Sequence, residues 1–196
     1  GTTTALVFGS RHKESVDALF SAAQKLNLRM IAGKVMMDRN APDYLVDTAE
    51  SSYLDSKALI ERWHGKGRLH YAVTPRFAPT STPEQLTLAG QLLTEYPGLY
   101  MQTHISENLK EVEWVKALFP ERKNYLDVYD HFNLLGERSV FAHGVHLCDQ
   151  ECQRLAETGS AVAFCPTSNL FLGSGLFNLP MAERHKLNVG LGTDVG

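Results

Sequence analysis

The stretch that decides the fold is YMQTHISEN, residues 100–108, an apolar run that ends in polar and chemically active side chains. Residues 99–103 are predicted to form a buried strand, because the run is short, apolar and preceded by a turn at Gly98. His104 then stands at the end of the strand, three residues before Glu107. In a β/α fold, reactive groups collect at strand ends, since strands are rigid and the loops beyond them can vary.

The His104–Glu107 pair has two interpretations. The imidazole can bind a metal ion while the carboxylate moves protons for a water molecule that the ion activates. Alternatively, His104 is a buried histidine satisfied by hydrogen bonds, beside an ordinary solvated glutamate. The pair alone does not decide between these interpretations, and the rest of the chain must.

Apolar runs alternate with helical patterns along the whole chain, and no linker divides it, so residues 1–196 are predicted to form one domain. Seven short, nearly all-apolar strands between helices predict an α/β fold with a parallel sheet buried on both faces. The predicted strands cover residues 3–8, 29–37, 69–74, 99–103, 139–142, 161–165 and 188–191.

An open doubly wound sheet and a closed barrel both fit this pattern. The barrel is favoured, because polar residues follow the carboxyl ends of several different strands, as in barrel active sites. A complete barrel needs eight strands and about 250 residues, so the expectation is a barrel that lacks one strand. Four helices are expected to begin at capping residues: Asp47 (paired with Glu50), Thr82, Asn108 and Asp149.

Composition limits the class of partner. The 196 residues carry a formal net charge of -3, and no run of Lys or Arg offers a surface for nucleic acid or an anionic membrane. No apolar segment is long enough to span a membrane. Cys148, Cys152 and Cys165 form neither a C-x-x-C motif nor an even set, which favours a reducing, cytoplasmic location. A small-molecule substrate is therefore expected.

Five side chains at strand ends are candidates for chemistry: Arg76, His104, Glu107, His143 and Asp194. His104 and Asp194 suit the role of metal ligands, and Glu107 suits the role of proton shuttle. His143 fits either a ligand or a residue that orients the nucleophile. Arg76 can donate to a carbonyl or ring nitrogen of a substrate, or form a salt bridge with a helix.

Five motifs carry a resemblance to a known family: TPRF (74–77), THISEN (103–108), AHG (142–144), CPTSNL (165–170) and GTD (192–194). In this order they resemble the motifs of guanine deaminases, within the amidohydrolase superfamily. The resemblance implies a distorted (β/α)8 barrel, of which this chain supplies strands 2 to 8. The first strand and the small β-domain of that family are expected to lie outside the chain, which is truncated at both ends.

The resemblance also implies a reaction, the zinc-dependent hydrolysis of guanine to xanthine and ammonia in purine catabolism. It implies one zinc ion per site, with ferrous iron as an alternative, and a homodimer for the full-length protein. Glu107, His143 and Asp194 would be catalytic. Arg76, Phe77, His104, Glu107 and Asp194 would contact the substrate, and His104 and Asp194 would bind the metal, with His143 as a further ligand candidate.

One departure from the family is that the sequence contains no His-x-His motif, which supplies two of the family's metal ligands. The missing pair is expected to precede Gly1, and these 196 residues alone are expected to be inactive. Lys34 lies on an earlier strand than the carbamylated lysine of two-metal relatives, so a structural role is predicted. His146 is likewise predicted to be structural.

Two alternatives stay open at the level of sequence. The enzyme could act on another heterocycle, as an aminohydrolase or a chlorohydrolase with a different pocket. It could instead be a non-catalytic barrel used as a binding scaffold, although a scaffold has no physical need for His104, Glu107, His143 and Asp194 together.

Overall fold

The computed structural model describes residues 2–194, so Gly1, Val195 and Gly196, at the ends of the predicted domain, lie outside the described residues. Among the described residues there are eight strands: β1 Thr4–Phe8, β2 Arg29–Gly33, β3 Val35–Met36, β4 Leu69–Pro75, β5 Tyr100–Ile105, β6 Ser139–His143, β7 Ala161–Phe164 and β8 Asn188–Leu191. Eight α-helices separate them: α1 Lys13–Lys25, α2 Ala49–Trp63, α3 Pro83–Glu95, α4 Leu109–Leu118, α5 Tyr125–His131, α6 Asp149–Glu157, α7 Pro166–Phe171 and α8 Leu179–Arg184.

The described chain divides into two compact units, the first formed by residues 2–76 and 80–102, the second by residues 77–79 and 103–194. Seven of the strands match the seven predicted from the sequence, and the eighth is the two-residue β3. Within residues 2–194, no helix is long and apolar enough to cross a membrane. The prediction of a single domain stays a prediction.

The first unit contains a parallel sheet in the order β1, β2, β4 and β5, with β3 also paired to β4. Thr4 lies opposite Arg29, Met30 opposite Leu69, and Ala72 opposite Tyr100. β2, β4 and β5 are mostly buried, as expected for apolar strands of a sheet covered by helices, whereas β1 is half-buried to exposed.

A predicted single strand over residues 29–37 is divided into β2 and β3, and this corrects the sequence interpretation. Gly33 ends β2 where the neighbouring strand approaches closely: a Cβ atom on Gly33 would lie 1.7 Å from the carbonyl oxygen of Ala72. Only glycine fits there. Lys34 follows, fully buried, and its ammonium forms an ion pair with the Asp47 carboxylate. This contact agrees with the structural role predicted for Lys34.

The predicted start of α2 was wrong by one residue. Thr48, not Asp47, is the N-cap, and its hydroxyl accepts a hydrogen bond from the Ser51 amide at 3.0 Å. The Asp47 carboxylate instead forms ion pairs with the buried Lys34 and with the half-buried Arg11, the latter at 3.1 Å. Asp47 therefore forms tertiary ion pairs instead of the helix cap that the local sequence predicted.

The second unit contains the parallel strands β6, β7 and β8, with Val140 opposite Ala161 and Val162 opposite Val189. Cys148 rather than Asp149 occupies the N-cap position of α6. Glu151 closes this end of the helix by accepting a hydrogen bond from the Cys148 amide at 2.8 Å.

Candidate metal site

Strand ends of the second unit position three of the predicted residues. His143 is the last residue of β6, Glu107 lies in the loop between β5 and α4, and Asp194 follows β8. Asn108 begins α4 directly after Glu107, where its side chain accepts a hydrogen bond from the Glu111 amide at 3.0 Å. The capped helix therefore fixes the loop that carries Glu107.

Glu107, His143 and Asp194 converge on one point. Each offers a ligand atom, and these atoms all lie within 4.8 Å of one another. The Nε2 atom of His143 is 3.7 Å from an Oε2 atom of Glu107. Imidazole nitrogen and carboxylate oxygen are ligands that suit zinc or ferrous iron, and a carboxylate that is not a ligand can move protons for a water molecule beside the ion.

His104 lies beside this cluster but has a different relation to it. It is half-buried within β5, one residue before the strand ends, and its ring stacks on the His143 ring with centroids 5.3 Å apart. The three converging groups are Glu107, His143 and Asp194. Both roles that the sequence left open for His143, ligand and orienting residue, stay predictions, as does the ligand role of His104.

Asn169 is a site residue that sequence reasoning missed. Its Oδ1 atom lies 2.8 Å from Nδ1 of His143, and both side chains are buried. With Oδ1 as the acceptor, the proton sits on Nδ1, and Nε2 is left with its lone pair directed toward Glu107 and free to bind a metal ion. Asn169 is part of the CPTSNL motif that the sequence analysis identified, but the sequence alone did not assign a role to the asparagine.

The backbone at the site adopts a conformation that is costly for residues other than glycine. Ser106, His143 and Asp194 have φ values of 48°, 74° and 54°, in the left-handed region. Each costs of order 1–3 kcal/mol and persists because the surrounding structure imposes it. Such strained backbone is common at functional sites, where it directs side chains toward a shared point. His143 and Asp194, which converge, fit this pattern.

Aromatic rings form a wall next to the cluster. Phe77 is half-buried and packs edge-on against both His104, with centroids 6.4 Å apart, and Trp114, with centroids 6.2 Å apart. A flat heterocycle can stack on or abut such a wall.

Arg76 belongs to the first unit, where it follows β4 with an exposed side chain and its amide donates to the Met36 carbonyl at 3.1 Å.

Two further titratable groups near the site are buried. Burial raises the pKa of Glu111, and the negative charge of Glu107 raises it further. Burial also raises the pKa of the Cys165 thiol. His146, predicted to be structural, is half-buried with Nε2 2.9 Å from the Ser174 carbonyl oxygen.

The comparison with known sequences identifies the family. The sequence profile of the amidohydrolase family matches residues 1–196. The chain belongs to the amidohydrolase family. It is similar to the guanine deaminase of Escherichia coli (strain K12), with 64% identity over 196 residues, which are all of this chain and 45% of that protein.

Solved structures agree with the sequence comparison. The structure of E. coli guanine deaminase matches with a TM-score of 0.99, covering 100% of this chain and 46% of that one. A guanine deaminase from C. acetobutylicum, with guanine bound in its active site, matches with a TM-score of 0.96 at 34% identity, covering 100% of this chain and 47% of that one. The expectation of an incomplete amidohydrolase barrel is confirmed, since this chain spans less than half the length of these relatives.

Proposed function

We propose that the protein carrying this chain is a metal-dependent guanine deaminase, which converts guanine and water to xanthine and ammonia. The observation that carries the proposal is the convergence of Glu107, His143 and Asp194 within 4.8 Å. These residues come from three separate strand ends, in a chain that is 64% identical to a guanine deaminase. No packing requirement of a β/α fold brings two carboxylates and an imidazole together at such a point.

The metal that we propose is zinc, one ion per site, with ferrous iron as the alternative. His143, Asp194 and His104 are the residues of this chain that would hold it, and imidazole nitrogen with carboxylate oxygen suits either ion. When bound, the ion supplies a Lewis acid that makes water available as a nucleophile near neutral pH.

Glu107 is proposed to move the protons. Its carboxylate is half-buried and 3.7 Å from His143 Nε2, so it can accept a proton from the attacking water. The same group, now an acid, can give that proton to a ring nitrogen of the purine and then help the amino group leave as ammonia. The proton count balances: water supplies the oxygen of xanthine, one proton that stays on the ring nitrogen and one proton that converts the leaving amino group to ammonia.

His143 and Asp194 are proposed to orient the nucleophile, while Phe77 and Arg76 hold the substrate. The half-buried Phe77 ring offers an aromatic wall, and a guanidinium such as that of Arg76 is suited to planar acceptors like the purine edge. His104, Glu107 and Asp194 are proposed to contact the base as well, at the carbon that carries the amino group.

We further propose that the protein is cytoplasmic and assembles as a homodimer. The first proposal is supported by Cys148, Cys152 and Cys165, all of which are free thiols. The dimer rests on resemblance to the family, and light scattering on the full-length protein would measure it.

The test of the proposed reaction is Glu107→Gln in the full-length protein. This change keeps the shape of the side chain and removes its ability to exchange a proton, so turnover of guanine should fall by about 100-fold or more while the metal content stays constant. Glu113→Gln is the matched control, because Glu113 lies exposed on α4 and should retain full turnover. If the Glu107 variant keeps most of its turnover, Glu107 is not the proton shuttle.

A substrate panel separates the alternatives. Guanine should be hydrolysed in preference to adenine, cytosine and chlorinated triazines, and a preference for one of the others would make this an amidohydrolase of different specificity. Arg76→Met should weaken guanine binding without lowering the metal content. A protein that binds no metal and releases no ammonia would be a scaffold.

A further inference from the structure

Tyr129 is a buried residue of the second unit that the proposed mechanism does not use. It lies on α5, its side chain is fully buried, and its ring packs between Tyr125 and Phe141, with centroids 5.6 and 5.7 Å away. Because aromatic neighbours hold the ring on two sides, the position of its hydroxyl is set by packing.

The Tyr129 hydroxyl makes three hydrogen bonds. It donates to the carbonyl oxygen of His104 at 2.8 Å, and it accepts from the Ala78 amide at 2.9 Å and from the Thr103 hydroxyl at 3.1 Å. A phenol has one donor and two acceptor lone pairs, so this hydroxyl is fully used. Burial raises its pKa, and the group stays protonated and able to donate.

These partners belong to the two segments that carry proposed substrate and metal contacts. Ala78 follows Phe77, whose ring packs against His104 and Trp114, while Thr103 and His104 lie near the end of β5. The Ala78 amide is 51 residues from Tyr129 in sequence, and the two partners on β5 are 25 and 26 residues away. One oxygen atom thus hydrogen-bonds to two segments that are about 25 residues apart in sequence, and it adds a link to the contact between the Phe77 and His104 rings.

We propose that Tyr129 is a positioning residue: its hydroxyl holds the Phe77 segment and the His104 segment at a fixed separation. The inference deepens the proposed function, on which it rests for the identity of the substrate. Guanine would lie against Phe77 and react beside His104, so their separation sets how the base is presented. Misplacement by 1 Å of a group that positions a substrate can cost about 100-fold in rate.

The test is Tyr129→Phe in the full-length protein, compared with Tyr125→Phe. Both changes delete one phenolic hydroxyl from α5 and leave a buried ring in place. The Tyr125 hydroxyl faces the side chains of Tyr129 and Glu111, but it makes none of the three hydrogen bonds from Tyr129 to Ala78, Thr103 and His104, so its loss should leave both segments where they are. Thr103→Val removes only one of the three hydrogen bonds and serves as a milder variant if Tyr129→Phe folds poorly.

Two measurements distinguish positioning from general stability. We expect Tyr129→Phe to lower kcat/KM for guanine by at least about 10-fold, within the cost of a 1 Å misplacement, with KM raised because the Phe77 segment that would hold the base is displaced, and with unchanged metal content. Thr103→Val should raise KM less, and Tyr125→Phe should change it by less than about twofold.

The second measurement does not depend on turnover. In protein labelled with 5-fluorotryptophan, the ¹⁹F resonance of Trp114 reports the Phe77 ring that packs edge-on against it, and Trp114→Phe assigns that resonance. Tyr129→Phe should shift or broaden it in the metal-free protein, whereas Tyr125→Phe should not. If the protein does not hydrolyse guanine, the proposed function fails while this measurement still tests Tyr129.

The inference is overturned if Tyr129→Phe lowers only the melting temperature. In that case KM and the Trp114 resonance would match those of the wild-type protein at temperatures where both are folded, and Tyr129 would be an ordinary core residue. Equal effects of Tyr129→Phe and Tyr125→Phe on KM and on the resonance would overturn it as well.

Discussion

Asn169→Leu is expected to reduce guanine deamination by misorienting His143. Leucine has the same branching and number of side-chain heavy atoms as asparagine, but it cannot accept the hydrogen bond from Nδ1 of His143, which spans 2.8 Å in the wild-type protein. The Asn169 Nδ2 atom has no hydrogen-bond partner among residues 2–194, so its removal costs little. The effect of the substitution is therefore the loss of one acceptor.

The size of the effect follows from burial. His143 is 1% exposed and Asn169 is 0% exposed, so water cannot replace the lost acceptor. A buried donor left without its partner costs about 1–3 kcal/mol. The imidazole ring of His143 pays this cost when it holds its productive orientation and avoids it by turning away. At 1.36 kcal/mol per tenfold in rate, kcat/KM should therefore fall by roughly 5- to 150-fold.

The assay is steady-state deamination of guanine by the full-length protein, together with metal affinity from a chelator competition. Loss of a residue that orients a metal-binding histidine typically costs about 10- to 100-fold in affinity or activity, so both should fall. Thr167→Ala is the control, since Thr167 is exposed on the same helix, two residues before Asn169. A folded Asn169→Leu protein with kcat/KM within about twofold of wild type would refute the reasoning.

Two further predictions concern the first unit. Lys34→Met should destabilise the protein by about 3 kcal/mol, the lower end of the cost of breaking a buried pair, because Asp47 keeps its contact with Arg11. The urea midpoint measures this, Lys34→Met with Asp47→Leu should recover part of it, and a loss below about 1 kcal/mol would contradict the prediction. Burial raises the pKa of Tyr71 to about 12, so the native state keeps a proton that the unfolded chain loses near pH 10. The contribution of Tyr71 to the free energy of unfolding is complete below pH 10 and is lost as the pH rises through 12. Tyr71→Phe should flatten that decline in a plot of the free energy of unfolding against pH. Parallel plots for the two proteins would show that Tyr71 does not cause the decline.

The sequence alone predicted the alternation of strands and helices and the strand ends that carry the chemistry. This succeeded because a parallel sheet covered on both faces requires short, nearly all-apolar strands, and such runs are visible without knowledge of their neighbours. Polar groups such as Glu107, His143 and Asp194 stand out after those runs. Their residue types limit the chemistry to metal binding and proton transfer.

Local patterns were misleading where a distant residue competes for the same group. Asp47 resembles an N-cap by spacing, but buried Lys34 and Arg11 take its carboxylate. The run over residues 29–37 resembles one strand, but the approach of the Ala72 carbonyl to Gly33 divides it. In both cases the deciding contact comes from a residue that the local window does not contain.

Only the tertiary structure decided which groups act together. Asn169 became a partner of His143 because α7 places it 2.8 Å from the imidazole, although the two residues are 26 apart in sequence. Tyr129 has the spacing of an ordinary core residue on a helix, and its hydroxyl gained a role because Ala78, Thr103 and His104 surround it. Hydrogen bonds depend on distance and direction in space, and sequence periodicity reports only which face of an element is buried.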